Sequence, residues 1–161
     1  MKRLIFSILT IILFSINGNA QINNLSDFLT ISEMSEYELV QNLQDKWEIG
    51  QPYQKFLDDN KIAKEYITFK YNRNNRNQTL IRVITGVIGT GEKQYSTELI
   101  SNETELFKRI KNNLINWGFT LYYKGVYFNV YSDGNFKMKI QTVSYKDTKL
   151  PKGYYSINLI N

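Results

Sequence analysis

Few residues in this sequence could carry catalytic chemistry, because its 161 residues include no histidine and no cysteine. A Ser-His-Asp triad, a Cys-His pair and a histidine-ligated zinc site are therefore excluded. Carboxylates, lysine or tyrosine bases and oxygen-ligated ions remain. The only adjacent carboxylate pair, Asp58 and Asp59, stands in "DDNK", which is typical of a solvated turn, and the EF-hand calcium spacing is missing after it. We predict no metal site and no enzymatic activity.

The glycine-rich segment "GVIGTGEK" at residues 86–93 resembles a phosphate-binding loop only in its glycines. Such a loop requires a lysine directly after its last glycine, followed by serine or threonine. Here Glu92 follows Gly91, and Gln94 follows Lys93. An anionic glutamate in a phosphate cradle would repel its ligand. We therefore predict a connecting loop and no cofactor.

Tyrosines are the strongest candidates for binding, and the chain contains twelve. Tyr127 and Tyr131 alternate with Val126, Phe128 and Val130, as they would along a β-strand. If the valine and phenylalanine side chains pack under the helices, the tyrosine face is open. Tyrosine is enriched at protein interfaces because it offers a large contact area with few rotatable bonds. The alternative is that tyrosine simply suits a one-sided antiparallel sheet.

Basic residues provide a second candidate surface. Lys137 and Lys139 alternate with apolar residues on the next predicted strand, and Arg76 lies in the polar turn "NRNNRN". With the tyrosines they could form a stacking, cationic face for a glycan or for anionic headgroups. The other interpretation is that Met138 and its apolar neighbours face the core while the lysines face water. Nucleic acid is disfavoured by the small net charge and by predicted export.

The first twenty residues have the pattern of a secretory signal. Lys2 and Arg3 precede the apolar run "LIFSILTIILF", and small residues lead to Ala20. We expect cleavage near Ala20 and a periplasmic or secreted protein of 141 residues. The net charge of +5 falls to +3 when Lys2 and Arg3 are removed. No later segment is long and apolar enough to predict a transmembrane helix.

Hydrophobic periodicity predicts two main helices and several antiparallel strands. Apolar residues at three- and four-residue steps predict a helix at about 33–46, with Ser35 and Glu38 as a capping box. A second helix is predicted after Asn102, and "SDGN" at residues 132–135 predicts a type I′ hairpin turn. In the second half we predict strands at about 117–124, 126–132, 135–145 and 153–160.

The two halves of the chain resemble one another at an offset of seventy residues. This offset pairs Tyr37 with Phe107 and Trp47 with Trp117, and each tryptophan follows a predicted helix. We predict that each tryptophan fills the junction between its helix end and the sheet, where it buries a large apolar area. Units of a helix followed by strands are common, so chance resemblance is the alternative to a true repeat.

These patterns predict one α+β domain at residues 21–161. It contains two related halves, at about 32–88 and 101–160, with an antiparallel sheet and the helices on one face.

The segments "INGNAQ", "FLTISEMSEYELVQNLQDKWE", "EYITFKYN" and "IKNNLINWGFTLYY" resemble small exported proteins of the Bacteroidota, which implies an envelope location. The layout of two units, each a helix and four strands, is similar to β-lactamase-inhibitor-like folds, which bind protein targets across a concave sheet. We expect a non-enzymatic module that binds another envelope or secreted protein through a tyrosine-rich sheet face; an inhibitor or immunity-type protein is one concrete form. The alternative is an envelope accessory protein that binds glycan or anionic headgroups.

Overall fold

The structure is a computed structural model. The predicted signal segment at residues 1–20, the carboxylate pair Asp58 and Asp59, and part of the glycine loop at 88–90 lie outside the residues it describes. The described residues are 21–57, 62–87, 91, 93–141 and 150–160.

Helices form at two places in the described chain. The helix predicted at about 33–46 forms at Glu36–Leu43, and the predicted capping box of Ser35 and Glu38 starts it. A helix that was not predicted, Leu25–Glu33, precedes it, and the extended Met34 separates the two. The side chain of Asn24 caps the earlier helix by accepting a hydrogen bond from the Asp27 backbone. The α-helices are α1 (Leu25–Glu33), α2 (Glu36–Leu43) and α3 (Thr104–Asn113), and a 3-10 turn, η1, spans Ile115–Trp117.

Nine described strands form one antiparallel sheet, and β1 and β2 both pair with β3. The strands predicted in the second half correspond to β6, β7, β8 and β9, and residues 142–145 of the third predicted strand lie outside the described residues. The strands are β1 (Glu48–Ile49), β2 (Tyr53–Leu57), β3 (Ile62–Arg73), β4 (Arg76–Val87), β5 (Lys93–Ser101), β6 (Thr120–Lys124), β7 (Phe128–Ser132), β8 (Lys137–Gln141) and β9 (Tyr155–Ile160).

The order of strands is symmetric about the centre of the sheet. It runs β1-β3-β4-β5-β9-β8-β7-β6. The last strand of the first half, β5, therefore pairs with the last strand of the second half, β9, at the centre of the sheet. Each half is a helical segment followed by an antiparallel meander. The predicted halves, at about 32–88 and 101–160, leave out most of β5, which pairs with β4 and completes the first meander.

The tight two-residue turn lies in a different hairpin from the one predicted. Asn74 and Asn75 join β3 to β4 with φ of 52° and 61°, the positive values that a type I′ turn requires. The hairpin predicted at "SDGN" forms between β7 and β8, but its turn is not type I′, because Ser132 pairs with Lys137 and the loop between them has four residues. The carboxylate of Asp133 accepts hydrogen bonds from the backbone N–H groups two and three residues further on, which stabilises this longer loop.

All three helices pack on one face of the sheet, so the predicted α+β class with helices on one face is confirmed. Strand pairing places the buried sheet residues on a single face, which we call the helix face; the opposite one is the outer face. The buried apolar residues of the sheet are Ile67, Phe69, Leu80, Ile84, Leu99, Met138, Ile140, Ile157 and Leu159.

The two tryptophans have different environments, and the prediction for Trp117 is wrong. Trp47 is 3% exposed and its ring lies against Tyr71, whereas Trp117 is 49% exposed. Gly118 has a φ of 81°, and the backbone N–H groups of Gly118 and Phe119 bond back to η1 and its cap, as in a Schellman motif. This turn directs Phe119 into the core in place of Trp117.

Candidate functional site

The predicted orientation of β7 is wrong, because its faces are reversed. Tyr131 pairs with the buried Met138 and packs against the core, so it lies on the helix face. Phe128 and Val130 lie on the outer face, where Val130 pairs with Lys139. Each set of alternating side chains on β7 mixes polar residues with apolar or aromatic ones, so hydrophobicity alone did not identify the buried face. The pairing of β7 with β8 determines which face is buried.

Tyr127 and Val126 do not belong to the strand. They lie in the connection between β6 and β7, where Val126 is 75% exposed and Tyr127 is 46% exposed. Of the two tyrosines that were predicted to share an open face, only Tyr127 is exposed. They therefore do not form a common binding surface.

A β-bulge on β6 creates a different pair of exposed tyrosines. Leu121 and Tyr123 oppose consecutive residues of β7, so Tyr122 is the extra residue. The Tyr122 ring centroid lies 5.2 Å from the ammonium of Lys137, and the ring centroids of Tyr123 and Phe128 are 5.9 Å apart. Because Lys137 and Phe128 are on the outer face, the bulge brings two successive tyrosines to the same face.

These tyrosines complete a surface in which aromatic rings and ammonium groups are interleaved. The Lys139 ammonium lies 4.0 Å from the Phe128 ring centroid, which is a cation–π distance. Tyr122 and Tyr123 are 69% and 52% exposed. We call this the aromatic-cationic surface; it consists of Tyr122, Tyr123, Phe128, Lys137 and Lys139.

Exposed apolar side chains continue around the edge of the sheet. All five residues of β6 are exposed, and so are Ile115 and Trp117 just before it. Val126 and Tyr127, which follow β6, are exposed as well. Clusters of exposed apolar residues with a polar rim are typical of interaction sites.

Arg76 is not part of this surface. It lies on β4, from which β8 is separated by β5 and β9, and it is on the helix face. Its Nη1 donates to Gln21 Oε1 at 3.1 Å, and its Nε lies 3.7 Å from Glu103 Oε2. The structure therefore brings together Lys137 and Lys139 but separates Arg76 from them.

A polar row crosses the outer face beside the aromatic-cationic surface. Glu98 pairs with Asn158, which pairs with Lys139. Burial raises the pKa of Glu98, while a hydrogen bond from Ser156 and the charge of Lys139 act in the opposite direction. The buried Oδ1 of Asn158 has no hydrogen-bond partner within the described residues.

A second polar cluster, centred on Arg82, was not predicted from the sequence. This side chain is 1% exposed and donates from Nη1 to Ser32 O at 2.8 Å, and from Nη2 to Ile31 O at 3.2 Å and to Met34 O. The guanidinium thus satisfies carbonyl groups at the carboxyl end of α1. The available signal was an arginine in the middle of the apolar strand "TLIRVIT".

A cavity of about 300 Å³ adjoins Arg82, between the α1–α2 junction and β5. Glu36 and Tyr95 also line it. Burial lowers the pKa of Arg82, and the nearby Glu36 carboxylate opposes this effect. Arg82 Nε and Glu36 Oε1 have no hydrogen-bond partner among the residues described. The cavity is large and polar enough to hold water.

Comparison with known proteins gives no relative: no family model, curated protein or solved structure matches the chain. Within the described ranges, no cluster of three or more acidic, histidine or cysteine side chains is arranged to hold a metal ion. None of the described helices has the length and apolar character needed to cross a membrane.

Proposed function

We propose that this protein is an exported, non-enzymatic binding module that engages another envelope or secreted protein through the aromatic-cationic surface. The observation that carries the proposal is the bulge that turns Tyr122 and Tyr123 to the same face of an edge strand. An inhibitor or immunity-type partner of an enzyme or toxin is one concrete form of this function. Export, the partner class and the lack of catalysis are all parts of the proposal.

The chemistry of this surface matches that of protein interfaces. Interface centres are enriched in tyrosine, tryptophan and phenylalanine, and a few such residues contribute most of the binding free energy. Here Tyr122 and Tyr123 form the centre, and the exposed Tyr127 directly precedes Phe128 in the chain. Lysines at the rim favour association with a negatively charged partner.

The test is capture of partners from an envelope extract by immobilised protein, with identification by mass spectrometry. We expect the double variant Tyr122→Ser/Tyr123→Ser to capture the partner about tenfold less well or worse, because centrally placed aromatic anchors dominate binding. The matched control is Tyr37→Ser, since Tyr37 is 74% exposed but lies on α2, on the other side of the sheet.

Two outcomes would contradict the proposal. The first is unchanged capture by the double variant, and the second is an equal loss of capture by the Tyr37 control. Circular dichroism of each variant verifies folding, which these substitutions should preserve because the side chains are exposed.

A second candidate function is an envelope accessory protein that binds glycan or anionic headgroups. It is favoured by the ammonium groups of Lys137 and Lys139, which lie over aromatic rings on the same face. Binding of this kind weakens as salt rises, because exposed ionic contacts are screened. We expect Lys137→Gln/Lys139→Gln to abolish the salt dependence, and salt-insensitive binding by the unmodified protein would argue against this candidate.

A further inference from the structure

The outward edge of β6 has no strand neighbour within the described part of the chain. Its single partner there is β7, and all five of its residues are exposed. A strand at the edge of a sheet presents unpaired N–H and C=O groups that can pair with another extended chain. At about 3.4 Å per residue, β6 offers about 17 Å of such backbone.

Unlike β6, the opposite edge of the sheet has features that discourage pairing with another chain. There β3 is covered by two short strands, β1 and β2, which are interrupted at residues 50–52 by a segment that contains Pro52. The centre of β2 carries Lys55, which is exposed, and lysine on an edge strand discourages pairing with other chains. The centre of β6 is instead Leu121–Tyr123, and its only charged residue, Lys124, lies at the end of the strand.

The charges around β6 are predominantly positive. Residues 114–141 contain Lys124, Lys137 and Lys139 but a single acid, Asp133, whose carboxylate accepts backbone hydrogen bonds within its own loop. The Lys137 side chain reaches across β7, since its ammonium lies 5.2 Å from the Tyr122 ring centroid. Positive charge is therefore present on the outer face of the edge strand itself.

From these observations we infer that β6 binds an extended, acidic segment of the partner protein as an additional strand. The inference rests on the proposed function and specifies how the partner is recognised. Backbone hydrogen bonds to β6 provide affinity, and carboxylates on alternate residues of the added strand meet the ammonium groups on the outer face. A second copy of this chain fits less well, because pairing β6 with β6 would bring two positively charged regions together.

The test uses the mature protein and a synthetic probe. The probe is a capped peptide of about eight residues that alternates glutamate and valine, long enough to span β6. One control peptide replaces glutamate with lysine, and a second has the acidic sequence with every backbone amide N-methylated. The measurement is amide hydrogen exchange at residues 120–124, followed by NMR.

We expect exchange at the outward-facing amides of β6 to slow about tenfold when the acidic peptide is present at about ten times its Kd. Neither control peptide should protect these amides. Absence of protection by the acidic peptide, or equal protection by its N-methylated form, would overturn the inference. Protection that rises with protein concentration in the absence of peptide would also overturn it, because the occupant would then be a second copy.

Failure of this inference is distinguishable from failure of the proposed function. If the Tyr122/Tyr123 double variant loses the partner but the acidic peptide leaves β6 exchange unchanged, the surface binds protein through side chains alone. If capture of the partner does not depend on these tyrosines, the proposed function fails, whatever the peptide does.

Discussion

The substitution Arg82→Met tests how the first helical segment is held on the sheet. Methionine has a similar length and fits an apolar site, but it has no hydrogen-bond donor. Three carbonyl groups of the α1–α2 region, at Ile31, Ser32 and Met34, would lose the guanidinium that they now share. Two of them, at Ile31 and Ser32, end α1, and the Ile31 carbonyl also accepts a hydrogen bond from the backbone N–H of Met34.

The expected loss is about 3 kcal/mol in the free energy of unfolding. Each hydrogen bond from a charged donor contributes about 1.5–3 kcal/mol. Two effects reduce the sum: a buried guanidinium has a desolvation cost, as its lowered pKa indicates, and the adjoining cavity of about 300 Å³ lets water reach the carbonyl groups. Backbone carbonyls cannot be replaced together with Arg82, so an apolar substitution removes their guanidinium donor; Ile31 O keeps the backbone N–H of Met34.

The assay is equilibrium unfolding in urea, monitored by tryptophan fluorescence. With an m-value of about 2 kcal/mol per molar, a loss of 3 kcal/mol lowers the midpoint by about 1.5 M. The control is Arg76→Met, which removes an exposed arginine from the same strand and should change the midpoint little. A loss below about 1 kcal/mol for Arg82→Met, or one no larger than in the control, would refute the capping role.

Two further predictions concern stability. Trp47→Ala should lower the free energy of unfolding by about 3–5 kcal/mol because Trp47 is buried, whereas Trp117→Ala should lower it by less than about 1 kcal/mol. Thermal denaturation compares the two variants, and equal losses would contradict the difference in packing. Burial raises the folded-state pKa of Glu98 above 4.5, so its stabilising contribution is present at low pH and is lost as pH rises through that pKa. The Glu98→Gln variant should therefore gain stability relative to the unmodified protein as pH rises from below 4.5 to neutral. Urea unfolding at several pH values measures this difference in stability, and a flat or opposite trend would contradict the prediction.

Features with short-range causes could be predicted from the sequence. The capping box of Ser35 and Glu38 and the apolar stripe of α3 depend on side chains at most a few turns apart. Alternating strands with polar turns predicted the antiparallel sheet, and the α+β class followed from their combination with the helices. The helix α1 was not predicted, although the start of α2 at Ser35 was.

The candidate site depended on contacts between strands that are distant in sequence. Alternation along β7 predicted two faces, but each face carries an aromatic ring, so the buried face was undetermined. The pairing with Met138 on β8 puts Tyr131 against the core. The bulge at Tyr122 exists only in the pairing of β6 with β7. The burial of Arg82 likewise requires α1 to lie over β4.

The sequence by itself therefore determined the class of fold and most of its elements, because periodicity and capping act over a few residues. The tertiary structure alone decided which tyrosines are exposed, that Trp117 lies outside the core, and that Arg76 is remote from Lys139. The physical reason is that a strand's period of two defines a pair of faces, and only packing against helices and neighbouring strands selects the one that is buried.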